Sequence, residues 1–267
     1  MAKHFFIVGM QRSGTTYLAH ILDSHPEIYV ARPIGGPQPE PKFFAYRDRF
    51  LQGRDFYESC YFCNRSEKIL GEKSVCYADI DLLGKHLEIP ARIHSFYPEA
   101  TILFILRNPV QRAISNYFLS VRSQKESRGI EEAILGGPPN NYTTIRDVEY
   151  DGVMCPFIYL ERGHYVDFIE LYEKWFSNIK ILISEKFLNQ LNPVQGLYEY
   201  LGVDKSHWPT CLKQKFNDAP RFSVPPGLEI ELQRYYAPEI EKLEDKLNLS
   251  LDIWRSITPA TKAGACS

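Results

Sequence analysis

The sequence predicts an α/β protein built on a central parallel β-sheet flanked by helices. Short apolar runs of strand length (5–8, 28–30, 69–74, 100–106 and 179–183) alternate with segments of helical period (17–22, 82–97, 110–121, 165–176 and 194–201). Strands separated by helices favour parallel pairing through right-handed crossovers. Two of the runs, Phe5–Val8 and Ala100–Leu106, pass directly into turns that open helices. Hydrophobic content of 44% and charged content of 24% suit a globular chain, and 267 residues suffice for one domain over 1–267 with a substantial core.

The first unit is the most informative. Phe5-Phe6-Ile7-Val8 leads into Gly9-Met10-Gln11-Arg12-Ser13-Gly14-Thr15-Thr16 and then Tyr17-Leu18-Ala19-His20-Ile21-Leu22. A strand, a glycine-bounded turn and a helix start bring backbone N–H groups together around an anion. The spacing Gly9-x4-Gly14 is that of a P-loop, but Thr15 stands where a P-loop carries its Lys, and the cation comes earlier, at Arg12. A triphosphate site without that Lys lacks the group that reaches the β/γ-phosphates. The loop is therefore P-loop-like and predicts a phosphate cradle other than that of an ordinary ATPase or kinase.

Asp23-Ser24-His25-Pro26 stops the first helix. After the strand at 28–30, residues 33–41 hold four Pro and two Gly, so they form a loop. That loop carries Glu40 and ends in Lys42-Phe43-Phe44, whose rings can pin it to the core. Residues 45–68 read as short helices and loops. A strand then runs into the charged turn Gly71-Glu72-Lys73-Ser74. The strand at 100–106 runs into Arg107-Asn108-Pro109, and Pro109 suits the first turn of the helix that follows. Residues 123–154 read as loop. Phe168, Leu171, Tyr172 and Trp175 form an apolar stripe, 205–226 read as irregular, and a helix over 228–247 is expected to break near Pro238. Segments 33–62 and 123–154 are expected to shape a substrate pocket.

A net charge of −2 gives no global basic field and argues against non-specific nucleic-acid binding. No run has the length of a membrane span, and the N-terminus lacks the apolar stretch of a signal peptide. The six Cys read as free thiols of a reducing cytosol, because only Cys60 and Cys63 are close and no second pair completes a zinc site. These readings predict a cytoplasmic protein with no membrane partner and no metal. The oligomeric state is left open.

Two strand-to-helix corners carry cations and hydroxyls: Arg12, Ser13, Gly14, Thr15 and Thr16 at the first, Arg107 and Ser115 at the second. Such a pair suits a nucleotide with phosphates at two separate places. On these motifs the chain resembles the sulfotransferases that use 3′-phosphoadenosine 5′-phosphosulfate (PAPS). Gln11-Arg12-Ser13-Gly14-Thr15-Thr16 resembles their 5′-phosphosulfate loop, and Arg107-Asn108-Pro109 with Ser115 resembles their 3′-phosphate segment. Glu40-Pro41-Lys42-Phe43-Phe44 resembles the E-x-x-F-F segment of the heparan sulfate-type and related bacterial enzymes, where the Glu is the catalytic base. Gly71-Glu72-Lys73-Ser74 resembles their G-E-K-[ST]-P turn, with Val75 in place of the Pro. Gly163-His164-Tyr165, Trp175-Phe176 and Ile181-Leu182-Ile183-Ser184-Glu185 resemble their later helix and strand.

The resemblance implies sulfuryl transfer from PAPS to a hydroxyl or amine with release of PAP and no metal. It implies Glu40 as general base, Arg12 and Thr15 on the leaving group, and Lys73 on the acceptor or the transferring sulfuryl oxygens. It also implies Arg221 as a further 3′-phosphate contact, and Lys42, Phe43 and His164 on the acceptor side. Arg12 replaces the usual loop Lys, which keeps the charge and excludes proton donation by this side chain. The acceptor is expected to be a small molecule, of the kind made in secondary metabolism, with a glycan or lipid as the alternative. The rival readings are a P-loop small-molecule kinase, weakened by Thr15, and a PAP-binding scaffold, weakened by Glu40 and Arg12.

Overall fold

A computed structural model describes residues 2–32, 40–79, 88–139, 157–214 and 224–255. The expected parallel sheet is present. Five strands, β1 (Lys3–Gly9), β2 (Ile28–Val30), β3 (Ile69–Lys73), β4 (Thr101–Leu106) and β5 (Ile179–Ile183), lie in the order β2-β3-β1-β4-β5. Every pairing is parallel. Side chains alternate across a strand, and here both faces are covered. Phe6 and Val8 enter one core with Ile102, Phe104 and Leu106, whereas Phe5 and Ile7 enter the other with Leu103 and Ile105. Burial on both faces is why these strands read as unbroken apolar runs.

The helices are α1 (Thr15–Asp23), α2 (Arg47–Phe50), α3 (Arg54–Tyr61), α4 (Ile89–Phe96), α5 (Pro109–Arg122), α6 (Ile130–Leu135), α7 (Tyr165–Glu173), α8 (Ser184–Phe187), α9 (Leu191–Leu201) and α10 (Pro226–Leu247). The α1 and α9 side chains Leu18, Ile21, Val194 and Leu197 cover the Phe5 face. The α4, α5, α7 and α10 side chains Ile93, Val110, Phe168 and Leu232 cover the Phe6 face. No described helix is long and apolar enough to cross a membrane.

The structure corrects several element boundaries. The helix expected to break near Pro238 continues through it, because Leu228, Leu232, Tyr236, Ile240 and Leu243 form one buried stripe across the site. Pro238 itself is exposed, so the carbonyl that loses its N–H partner can be hydrated. Within 123–139, α6 replaces the expected loop by burying Ala133 and Ile134. Helix α4 runs from Ile89 to Phe96, and the 82–87 part of the helix expected there lies outside the described residues. The stripe on α7 is narrower than expected, since Phe168 and Tyr172 are buried but Trp175 is 43% exposed.

Candidate active site

Residues 10–14 turn the chain from β1 into α1. Gly14 has φ 99, and a Cβ there would come within 3.1 Å of Leu188 Cδ2, so the turn requires glycine. Arg12 also adopts the left-handed region, at φ 68, a strained choice that clusters at functional sites. Thr15 opens α1 with no acid in its first turn. The helix therefore directs its first N–H groups, without intrahelical acceptors, at the loop. Ser13 is fully buried, and its Oγ has no hydrogen-bond partner. A buried hydroxyl left over at a helix N-terminus is the kind of group a bound anion satisfies.

The second corner is held from three later segments. Asn108 caps α5 by accepting from the Val110 and Gln111 N–H groups, and Pro109 takes the first turn. Glu185 accepts from the Asn108 N–H at 2.9 Å and from the Trp254 indole N–H at 2.9 Å. Asn108 Nδ2 donates to the Trp254 carbonyl, and the Tyr165 hydroxyl donates to the Arg107 carbonyl.

The two corners meet. Arg12 Nε donates to Ser115 Oγ at 2.9 Å, and Arg107 Nη1 donates to the Arg12 carbonyl at 3.2 Å. Burial holds the Arg12 guanidinium below its ordinary pKa, and the positive charges of Arg107 and Arg122 add to this. Burial does the same to Arg107, opposed by Glu185. Crowded, desolvated cations of this kind favour an arriving anion. Arg122, at the far end of α5, was not singled out from the sequence. It lies seven residues beyond Ser115, close to two full helical turns, which places both on one face.

Glu40 and Lys73 form the second half of the site. Lys73 Nζ lies 2.9 Å from Glu40 Oε1, with only 11% and 7% of the two side chains exposed. The Val75 N–H donates to Glu40 Oε2 at 3.1 Å. Backbone bonds stitch the strand ends side by side, from Ser74 N to Ile7 O, from Ala78 N to Val8 O and from Met10 N to Ile105 O. The Arg12 loop thus lies between the end of β3, with Lys73 and Glu40, and the end of β4, with Arg107. Ligand sites of open α/β sheets lie at this carboxyl edge.

Other predicted site residues fall differently. Phe43 is 1% exposed and packs against Tyr57 and Phe44 at ring distances of 4.7 and 5.3 Å. Its ring is a core anchor, which corrects the expectation that it faces the acceptor. Lys42 sits in the left-handed region at φ 55. His164 Nε2 lies 2.9 Å from the Tyr235 hydroxyl on α10, and the two rings stack. Thr16 follows Thr15 in the first turn of α1. Arg221, residues 33–39 and residues 140–154 lie outside the described residues. Glu72 was legible only as part of a motif. The stronger signal was an acid inside the apolar strand Ile69–Lys73, which has neighbours on both sides and must be satisfied internally.

The model of the sulfotransferase family matches residues 4–136. Over 109 residues the chain is 35% identical to a bifunctional heparan sulfate N-deacetylase/N-sulfotransferase 1 of Caenorhabditis elegans, covering 41% of this chain and 12% of that protein. Over 112 residues it is 35% identical to the human heparan sulfate glucosamine 3-O-sulfotransferase 6, covering 42% of this chain and 28% of that protein. The chain thus spans less than a third of the length of either relative. A crystal structure of a sulfotransferase from Alicyclobacillus acidocaldarius superposes with a TM-score of 0.74 at 27% identity, covering 96% of this chain and 100% of that one. With the family model over residues 4–136 and the superposition on the Alicyclobacillus acidocaldarius sulfotransferase in agreement, the chain belongs to the sulfotransferase family.

Proposed function

We propose that this chain transfers a sulfuryl group from PAPS to a hydroxyl or amine of a small-molecule acceptor and releases PAP. The observation that carries this reading is the Arg12 to Ser115 bond, which joins two cationic strand-end corners into one anion site beside the Glu40–Lys73 pair. The residues fit the donor nucleotide: Ser13 Oγ is buried without a partner, and the cation-rich corners await anions. PAPS supplies an activated sulfuryl group on a phosphate leaving group.

Glu40 takes the acceptor's proton as general base. Lys73 orients the Glu40 carboxylate and stands at the edge where a transferring sulfuryl group meets it. Arg12, Thr15 and the first N–H groups of α1 stabilise charge developing on the leaving group. Arg107 and Ser115 hold the 3′-phosphate, with Arg221 as a further contact. Lys42 and His164 stand on the acceptor side. Glycan acceptors are the alternative, as the names of the heparan sulfate relatives suggest. The near-balanced charge, 31 Lys and Arg against 33 Asp and Glu, supports a small acceptor over a polyanionic chain that asks for a basic track. Among the described residues, Cys60, Cys63, Cys76 and Cys211 are free thiols, which supports a reducing cytoplasmic setting.

The test is ligand-induced stabilisation in metal-free buffer. PAP at a hundredfold excess over its Kd should stabilise the folded chain by about 2.7 kcal/mol. A response to ATP with Mg²⁺ and none to PAP would sink the reading. Glu40→Gln should lower turnover by about 10²-fold or more while PAP binding persists.

A further inference from the structure

Glu72 is fully buried, and its carboxylate accepts three hydroxyl bonds. The Tyr57 hydroxyl donates to Oε2 at 2.6 Å, while Ser74 Oγ and the Tyr77 hydroxyl donate to Oε1 at 2.6 and 2.5 Å. Burial pushes the Glu72 carboxyl above its ordinary range, and the three hydroxyls oppose that push.

Two of the hydroxyls have a second partner. Ser74 Oγ accepts the Lys42 N–H at 2.8 Å, and the Tyr77 hydroxyl accepts the Phe44 N–H at 3.1 Å. A hydroxyl carries one proton. Having received an N–H, each directs its own proton to the carboxylate, so both chains run from backbone amide through hydroxyl to Glu72. One of these amides belongs to Lys42, a non-glycine residue held at φ 55 and ψ 27. Such a conformation is strained and persists only where the surroundings over-determine it.

Segment 72–77 therefore grips segment 40–44 at four points. Lys73 and the Val75 N–H hold the Glu40 carboxylate, and Ser74 and Tyr77 hold the backbone at Lys42 and Phe44. We infer that Glu72 is a positioning residue for Glu40: through Ser74 and Tyr77 it fixes the strained turn that carries the base. The inference rests on the proposed role of Glu40, and Glu72 itself touches no reacting atom.

The full chain is tested with labelled PAPS and excess p-nitrophenol as the hydroxyl acceptor. PAP affinity is measured by calorimetry, and amide hydrogen exchange is followed at Lys42 and Phe44. Ser74→Ala and Tyr77→Phe should each lower turnover about tenfold or more, since small misplacements of a catalytic group cost up to about 10²-fold. PAP affinity and the KM for PAPS should stay within about twofold, because these variants leave the nucleotide corners intact. Ser74→Thr, which keeps the hydroxyl, should restore turnover. The Lys42 amide should exchange faster in Ser74→Ala and not in Ser74→Thr. Glu72→Gln keeps an acceptor oxygen for Ser74 and Tyr77 and should retain most turnover, whereas Glu72→Leu should not.

Unchanged turnover and unchanged Lys42 exchange in Ser74→Ala would overturn the inference. So would parallel loss of PAP affinity, failed rescue by Thr, or equal losses in Glu72→Gln and Glu72→Leu. Glu40→Gln run alongside separates the two claims. Full turnover in that variant refutes Glu40 as the base, while the exchange data still report whether Ser74 holds the turn. The exchange measurement reads the link without any turnover.

Discussion

Removing Lys73 should strand a buried charge. At 2.9 Å the Glu40–Lys73 pair has a Coulomb energy of about 6 kcal/mol at an effective dielectric constant of about 20. Desolvation of both groups offsets much of that attraction, but deleting one partner of such a pair typically costs about 3–5 kcal/mol. The Val75 N–H still serves one Glu40 oxygen, so Lys73→Met should fall near the lower end, about 3 kcal/mol. Urea unfolding of the ligand-free wild type, Lys73→Met, Glu40→Gln and the double variant at pH 7 measures this as a double-mutant cycle. The double variant should recover at least about 1 kcal/mol relative to Lys73→Met, because no charge is left unpaired. A cost below about 0.5 kcal/mol, the range of an exposed pair, with no recovery in the double variant, would refute this reasoning.

Ser115→Ala removes the acceptor of the Arg12 Nε–H, and PAP binding measured by calorimetry should weaken about tenfold, as for one lost hydrogen bond to a charged group. Gly71 faces its register partner Phe5, and a Cβ at position 71 would lie 2.1 Å from that ring. Gly71→Ala should therefore lower unfolding stability by about 1–3 kcal/mol through overpacking. The His4 ring is mostly buried against Tyr97 at a ring distance of 4.1 Å. Burial lowers its pKa from 6.5 to about 4, with Glu58 opposing the shift and Arg54 adding to it. The unfolded chain then takes up this proton as pH falls through 6.5, while the folded chain resists until about 4. Stability from this residue is complete above pH 6.5 and declines toward pH 4, by up to about 3 kcal/mol. Unfolding measured from pH 7 to pH 4.5 should show a shallower decline in His4→Phe.

Much of the fold was legible because its signals are local. Apolar runs at 5–8 and 100–106 can only be covered strands, and Asn108-Pro109 marks a helix start through its own cap. Pro238 misled because the rule against internal proline weighs one lost hydrogen bond, whereas the helix is held by five buried side chains spread over four turns. For Phe43 the sequence allowed a pin to the core and the resemblance implied an acceptor contact, and the rings of Phe44 and Tyr57 that close around it decide for the core.

The sequence by itself determined the parallel α/β architecture, the glycine-bounded loop with Arg12, and the residue types at both corners. These depend on periodicity, turn chemistry and charge within about ten residues, where chain connectivity supplies the proximity. Only the tertiary structure decided that Arg12 bonds Ser115, that Lys73 bonds Glu40, and that Glu72 gathers three hydroxyls beneath the turn at Lys42. Those partnerships join distant segments, and they arise because the order β3-β1-β4 sets three carboxyl ends side by side. Glu72 has no water to pair with once the sheet closes over it, so its partners must come from whatever the packed core brings within reach.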